Sequence, residues 1–81
     1  MIISINKAEY LNDYKIKLFF SDKAEKIVDF SEFLKNAKNP TTRKYLDEKL
    51  FSSFYLEYGD LIWNDYELCF PIWDLYEQSL S

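Results

Sequence analysis

An 81-residue chain with 48% apolar residues and a formal net charge of −4 has enough apolar mass for one core, read here as a single domain over 1–81, and too much to stay disordered. One cysteine, one glycine and no histidine exclude an intrachain disulfide framework, the usual zinc sites and glycine-rich phosphate loops. Every lysine and arginine lies at or before Lys49. Residues 51–81 carry six acids and no base, together with nine of the 16 aromatic residues.

The first strand is predicted over 2–10, with Ile3 and Ile5 on one face. Ala8 and Tyr10 continue that face only if a bulge intervenes near Asn6-Lys7. After an Asn12-Asp13 turn, residues 14–20 alternate clearly, placing Ile16, Leu18 and Phe20 inward and the lysines outward. A turn at 21–24 returns the chain into a third antiparallel strand over 25–30, completing a meander.

Ser31 reads as the N-cap of a short helix over 32–37, with Glu32 placed well against the helix dipole. Asn39-Pro40-Thr41 interrupts the helical pattern, because proline lacks the amide donor. A second helix follows over 42–51. Residues 54–58 then read as a strand, Gly59-Asp60 as a turn and 61–63 as the returning strand, with the only glycine where a tight turn needs positive φ. Beyond an Asn64-Asp65 turn, 66–70 is a short extended piece. Pro71 opens a last helix, on which Ile72, Leu75, Tyr76 and Ser79 share one face and Trp73, Tyr76 and Leu80 an adjacent stripe. The fold class is α+β: a three-stranded antiparallel meander, short helices, a second hairpin and a C-terminal helix.

Three stretches carry a family resemblance. They are Leu18-Phe19-Phe20-Ser21-Asp22, then Val28-Asp29-Phe30-Ser31 leading to Phe33-Leu34, and Ile62-Trp63 followed by Leu68-Cys69-Phe70-Pro71-Ile72-Trp73-Asp74-Leu75-Tyr76-Glu77. Over nearly its whole length the chain resembles the bacterial family called domain of unknown function 2442. In that family the turn after Asp22 and the turn after the Trp strand often carry glycine, whereas Lys23 and Tyr66 stand there in this chain. The resemblance implies an α+β fold. It also implies a kinship with proteins that are fused to a helix-turn-helix domain or look like partners in small toxin–antitoxin-like pairs.

The residues offer little for catalysis. Cys69 has no histidine to activate it and is flanked by Leu68 and Phe70, so the expectation is a buried structural thiol. Paired acids such as Asp29 with Glu32, or Asp74 with Glu77, fit solvated faces and helix-end electrostatics better than acid–base chemistry. Asp29 is expected to cap a helix or turn. No catalytic residue, cofactor or metal ligand is assigned, and the protein is not expected to be an enzyme. The acidic C-terminal half disfavours direct nucleic-acid binding.

The functional expectation is therefore a non-catalytic protein-interaction module. It would be the antitoxin-like or adaptor member of a small two-protein system, meeting a basic protein partner. Trp63, Tyr66, Trp73 and Tyr76 are the candidate anchors, with Asp74 and Glu77 at the rim. For each of these rings a place in the core is the competing reading, and for Trp63 the favoured one. A small-molecule-binding or enzymatic domain with an aromatic pocket is the alternative, and a homo-oligomer formed through a free strand edge is a third. The N-terminus lacks the basic and apolar regions of a signal peptide, and no apolar run approaches the ~18 residues of a membrane span. A cytoplasmic protein without a membrane segment is the resulting expectation.

Overall fold

The computed structural model describes residues 3–78 and residue 80. Ile2 of the expected first strand and Ser79 of the expected last helix lie outside the described residues.

Alternation organises the first sheet. Strand β2 (Lys15–Phe20) buries Ile16, Leu18 and Phe20. It runs between β1 (Ile5–Tyr10) and β3 (Glu25–Asp29), antiparallel to both. The β1–β2 register shifts between Ile5 and Lys7. This is the bulge that the sequence pattern required, and it lets Ile5, Ala8 and Tyr10 face the same side opposite Phe20, Leu18 and Ile16. The outer face carries Lys7–Glu9 and Lys17–Glu25 ion pairs at 2.9 and 3.3 Å.

Tyr14 is not part of β2, contrary to the expected start. It sits in the turn with φ of 65°, which frees its ring to pack edge-on against Phe51 and its hydroxyl to donate to the Leu46 carbonyl. Ser31 likewise is not the helix cap. Helix α1 (Ser31–Asn36) begins at Ser31 itself. The Asp29 carboxylate accepts from both the Ser31 amide, at 2.9 Å, and its hydroxyl, at 2.7 Å. A carboxylate two residues upstream reaches the helix start better than the short Ser31 hydroxyl.

The helix expected over 42–51 is broken. Helix α2 (Pro40–Arg43), a 3-10 turn (Lys44–Leu46) and helix α3 (Glu48–Phe51) follow one another. Asn39 caps α2 by accepting from the Thr41 amide at 2.9 Å. Asp47 has extended backbone and caps α3 by accepting from Lys49. A residue whose side chain competes for backbone donors stops the first segment and starts the next. The break buries Tyr45 and Phe51 together, which a straight ten-residue helix would not place on one face.

The second sheet is β4 (Tyr55–Glu57), β5 (Asp60–Trp63) and β6 (Leu68–Cys69), paired antiparallel in that order. Its hairpin turns on Tyr58-Gly59, one residue earlier than expected, with φ of 53° and 83°. Two successive positive φ angles match the right-handed twist of the flanking strands. Gly59 is also wedged against β1: its carbonyl accepts from the Ile5 amide at 2.9 Å, and a Cβ there would lie 2.6 Å from that of Ser4. This contact locks the two sheets together.

Trp63 occupies the centre of the shared core. Its indole lies 5.5 to 6.3 Å, centroid to centroid, from Phe30, Tyr45, Phe51, Phe54 and Phe70. Helix α4 (Ile72–Glu77) buries Leu75 and sets Tyr76 edge-on to Phe20 at 4.9 Å. Pro71 precedes it as the N-cap. No helix among the described residues is long and apolar enough to cross a membrane.

Candidate interaction surface

Because strand side chains alternate, the second sheet has two unlike faces. Leu56, Leu61, Trp63 and Leu68 point into the core. Tyr55, Ile62 and Cys69 stand opposite one another on the outer face, as do Glu57 and Asp60. Cys69 is therefore exposed. This corrects the expectation of a buried thiol: its apolar neighbours Leu68 and Phe70 belong to the opposite face, so they line the core without enclosing Cys69.

Asn64, Asp65 and Tyr66 all adopt positive φ, at 42°, 56° and 68°. Tyr66 belongs to this turn, and the extended piece expected from it reduces to Leu68–Cys69. Glu67 holds the turn. Its Oε1 accepts from Lys44 Nζ at 2.6 Å, from the Tyr45 hydroxyl at 2.7 Å and from Asn64 Nδ2 at 3.2 Å. The Lys44 ammonium, then the Tyr45 and Asn64 donors, hold the Glu67 carboxyl down at about 2. Burial, then the hydrogen bond its hydroxyl donates to Glu67 and that carboxylate's charge, push the Tyr45 phenol up to about 12. The Asp65 amide donates to the Tyr55 hydroxyl at 3.2 Å.

Held this way, Tyr66 stands over the outer face with 47% of its surface exposed. The neighbouring Glu57 carboxylate raises the Tyr66 pKa, with desolvation adding to the shift. Tyr66, Cys69, Pro71, Ile72 and Asp60 bound an open groove of about 300 Å³. Ile62 lies at its base, fully buried and apart from the main core cluster.

The six expected partner-contact residues do not form one patch. Trp63 has no exposed surface and its indole N–H donates to the Phe51 carbonyl, so in the folded domain it offers nothing to a partner. Trp73 is 48% exposed and meets Tyr76 edge-on at 5.4 Å. The Tyr76 hydroxyl donates to Asp22 Oδ2 at 2.6 Å, and Lys26 Nζ lies 4.3 Å above its ring. That hydrogen bond raises the Tyr76 pKa and lowers that of Asp22. Tyr76 therefore ties α4 to the first sheet, and Trp73 is the free ring beside it. Asp74 is half-buried in the first turn of α4, and Glu77 is exposed at its end.

Sequence reasoning missed Asp60, Cys69 and Ile72 as parts of one surface. The signal was present in residues 60–63, where Leu61 and Trp63 alternate with Asp60 and Ile62. Among the described residues, no group of three or more carboxylates or thiols is placed to hold a metal ion.

Comparison with curated proteins finds no match, and comparison with solved structures finds none. A family described as Protein of unknown function (DUF2442) matches residues 5–80. The match spans both sheets and the closing helix, and the chain belongs to that family.

Proposed function

We propose that the protein is a non-catalytic interaction module, the antitoxin-like or adaptor member of a small two-protein system, and that its partner is a basic protein. The carrying observation is the half-exposed Tyr66 on a groove whose lining includes Asp60 and no lysine or arginine. Of the six acids in residues 51–81, Glu67 is paired with Lys44. The other five pair with no base among the described residues, and their field favours a positively charged surface. Trp73 adds a second half-exposed ring of the kind that dominates binding energy at interfaces. The fully buried rings Phe30, Phe51 and Trp63 are packed against one another and form no aromatic pocket between them.

The test is co-purification of the tagged chain with the products of neighbouring reading frames. A small basic protein should co-elute, and its affinity should fall as salt rises. It should also fall with Tyr66→Ala or Trp73→Ala while circular dichroism is unchanged. Association that ignores salt and both substitutions would contradict the reading, as would the absence of any associating product.

A further inference from the structure

We infer that the groove on the outer face of the second sheet seats an arginine side chain of the partner protein, its guanidinium between the Asp60 carboxylate and the Tyr66 ring. This rests on the interaction reading above and specifies the chemistry that reading leaves open. The groove is open and about 300 Å³, large enough for one long side chain. Its walls suit the parts of arginine separately. Pro71, Ile72 and the Cys69 side chain offer apolar contact to a methylene stem. Tyr66 offers a half-exposed ring on the same wall as Asp60. Asp60 is exposed and among the described residues pairs with no base.

Arginine fits better than lysine. Its planar, weakly hydrated guanidinium can stack on a ring while bonding a carboxylate through two N–H groups, whereas an ammonium is a compact, strongly hydrated charge. The occupant is not a second copy of this chain. Its single arginine, Arg43, already donates to the carbonyls of Lys35 and Ala37, at 3.0 and 3.1 Å. Using it would leave those two helix-end acceptors without their donor.

The only cysteine of the chain lines the groove and is exposed, so its alkylation rate reports occupancy. The probes are N-acetylarginine amide, its neutral isostere N-acetylcitrulline amide and N-acetyllysine amide, titrated at constant ionic strength into the isotope-labelled protein. A single side chain should bind in the millimolar range. N-acetylarginine amide should shift the backbone amide resonances of Asp60, Tyr66, Cys69 and Ile72 saturably and at least halve the rate of Cys69 alkylation by a maleimide. The lysine probe should do less and the citrulline probe neither, and Asp60→Asn, shown folded by circular dichroism, should lose the response. Equal responses to arginine and citrulline, or shifts centred elsewhere, would overturn the assignment. A protein partner that binds in a salt-dependent way without slowing Cys69 alkylation would overturn the groove and leave the interaction reading standing. Saturable arginine binding here with no associating neighbour product would support the groove and remove the two-protein reading.

Discussion

The Trp63 indole N–H donates to the Phe51 carbonyl at 2.7 Å while the two rings stack at 5.5 Å with an interplanar angle of 28°. The end of α3 and the middle of the second sheet are thus held by one side chain through both a polar and an apolar contact. Trp63→Phe removes the donor and part of the volume at a fully buried site. It should cost about 2–4 kcal/mol, combining a lost buried hydrogen bond with a cavity. Urea unfolding followed by circular dichroism checks this, and a loss below about 1 kcal/mol would mean the core repacks around the gap.

Gly59 should be intolerant of even a methyl group. Its φ of 83° and the 2.6 Å approach of a built Cβ to Ser4 act together, so Gly59→Ala should destabilise by about 2–4 kcal/mol. Lys23 presents the converse case, a long side chain at φ of 74°. Lys23→Gly should stabilise by about 0.5–1 kcal/mol. Paired thermal melts of the two variants measure both signs at once.

Asp29 starts α1 by accepting twice from Ser31, and those donors hold its carboxyl below the usual range. Asp29→Ala should cost about 1 kcal/mol, as for loss of a helix cap. Ser31→Ala keeps the amide donor and should cost less. Equal losses in the two variants would place the stabilisation in the hydroxyl.

The acid limb of stability should report Glu67. Its carboxyl is held at about 2, below its ordinary 4.5, so the folded state prefers the charged form. That contribution is complete above the ordinary value and disappears as pH falls through about 2. Glu67→Gln should therefore melt below the parent at neutral pH, and the two curves should converge toward about pH 2. Asp22 and Asp29 shift the same way, so the parent's limb persists in part without Glu67. Tyr45 has the opposite direction: held neutral up to about 12 against an ordinary 10.0, it stabilises fully below the ordinary value and ceases to do so as pH rises through about 12. A Glu67→Gln curve parallel to the parent at all pH values would contradict this network.

The meander was legible because Ile16, Leu18 and Phe20 alternate without exception, and the bulge because Ile5 and Ala8 fall out of phase. What was not legible depended on long-range contacts. Tyr14 leaves β2 because Leu46 and Phe51, far along the chain, receive its side chain. The break at Asp47, whose side chain caps α3, also serves the joint burial of Tyr45 and Phe51 around Trp63, a long-range contact that local helix propensity does not encode. The expected contact residues separated for a similar reason: Trp63 and Tyr66 are three apart in sequence, yet the left-handed turn at 64–66 puts one in the core and the other over the outer face. Lys23 and Tyr66, which depart from the glycine often found in the family, still adopt the positive φ that glycine favours.

The central claim is that the outer face of the second sheet is a docking surface for a basic protein. The measurement that tests it most directly is the affinity of the co-purified neighbouring product for the parent chain and for Tyr66→Ala with Asp60→Asn, across a salt series. The account predicts that the double variant binds at least tenfold more weakly, equivalent to about 1.4 kcal/mol, with a shallower salt dependence and unchanged circular dichroism. An affinity and salt dependence equal to those of the parent would contradict it.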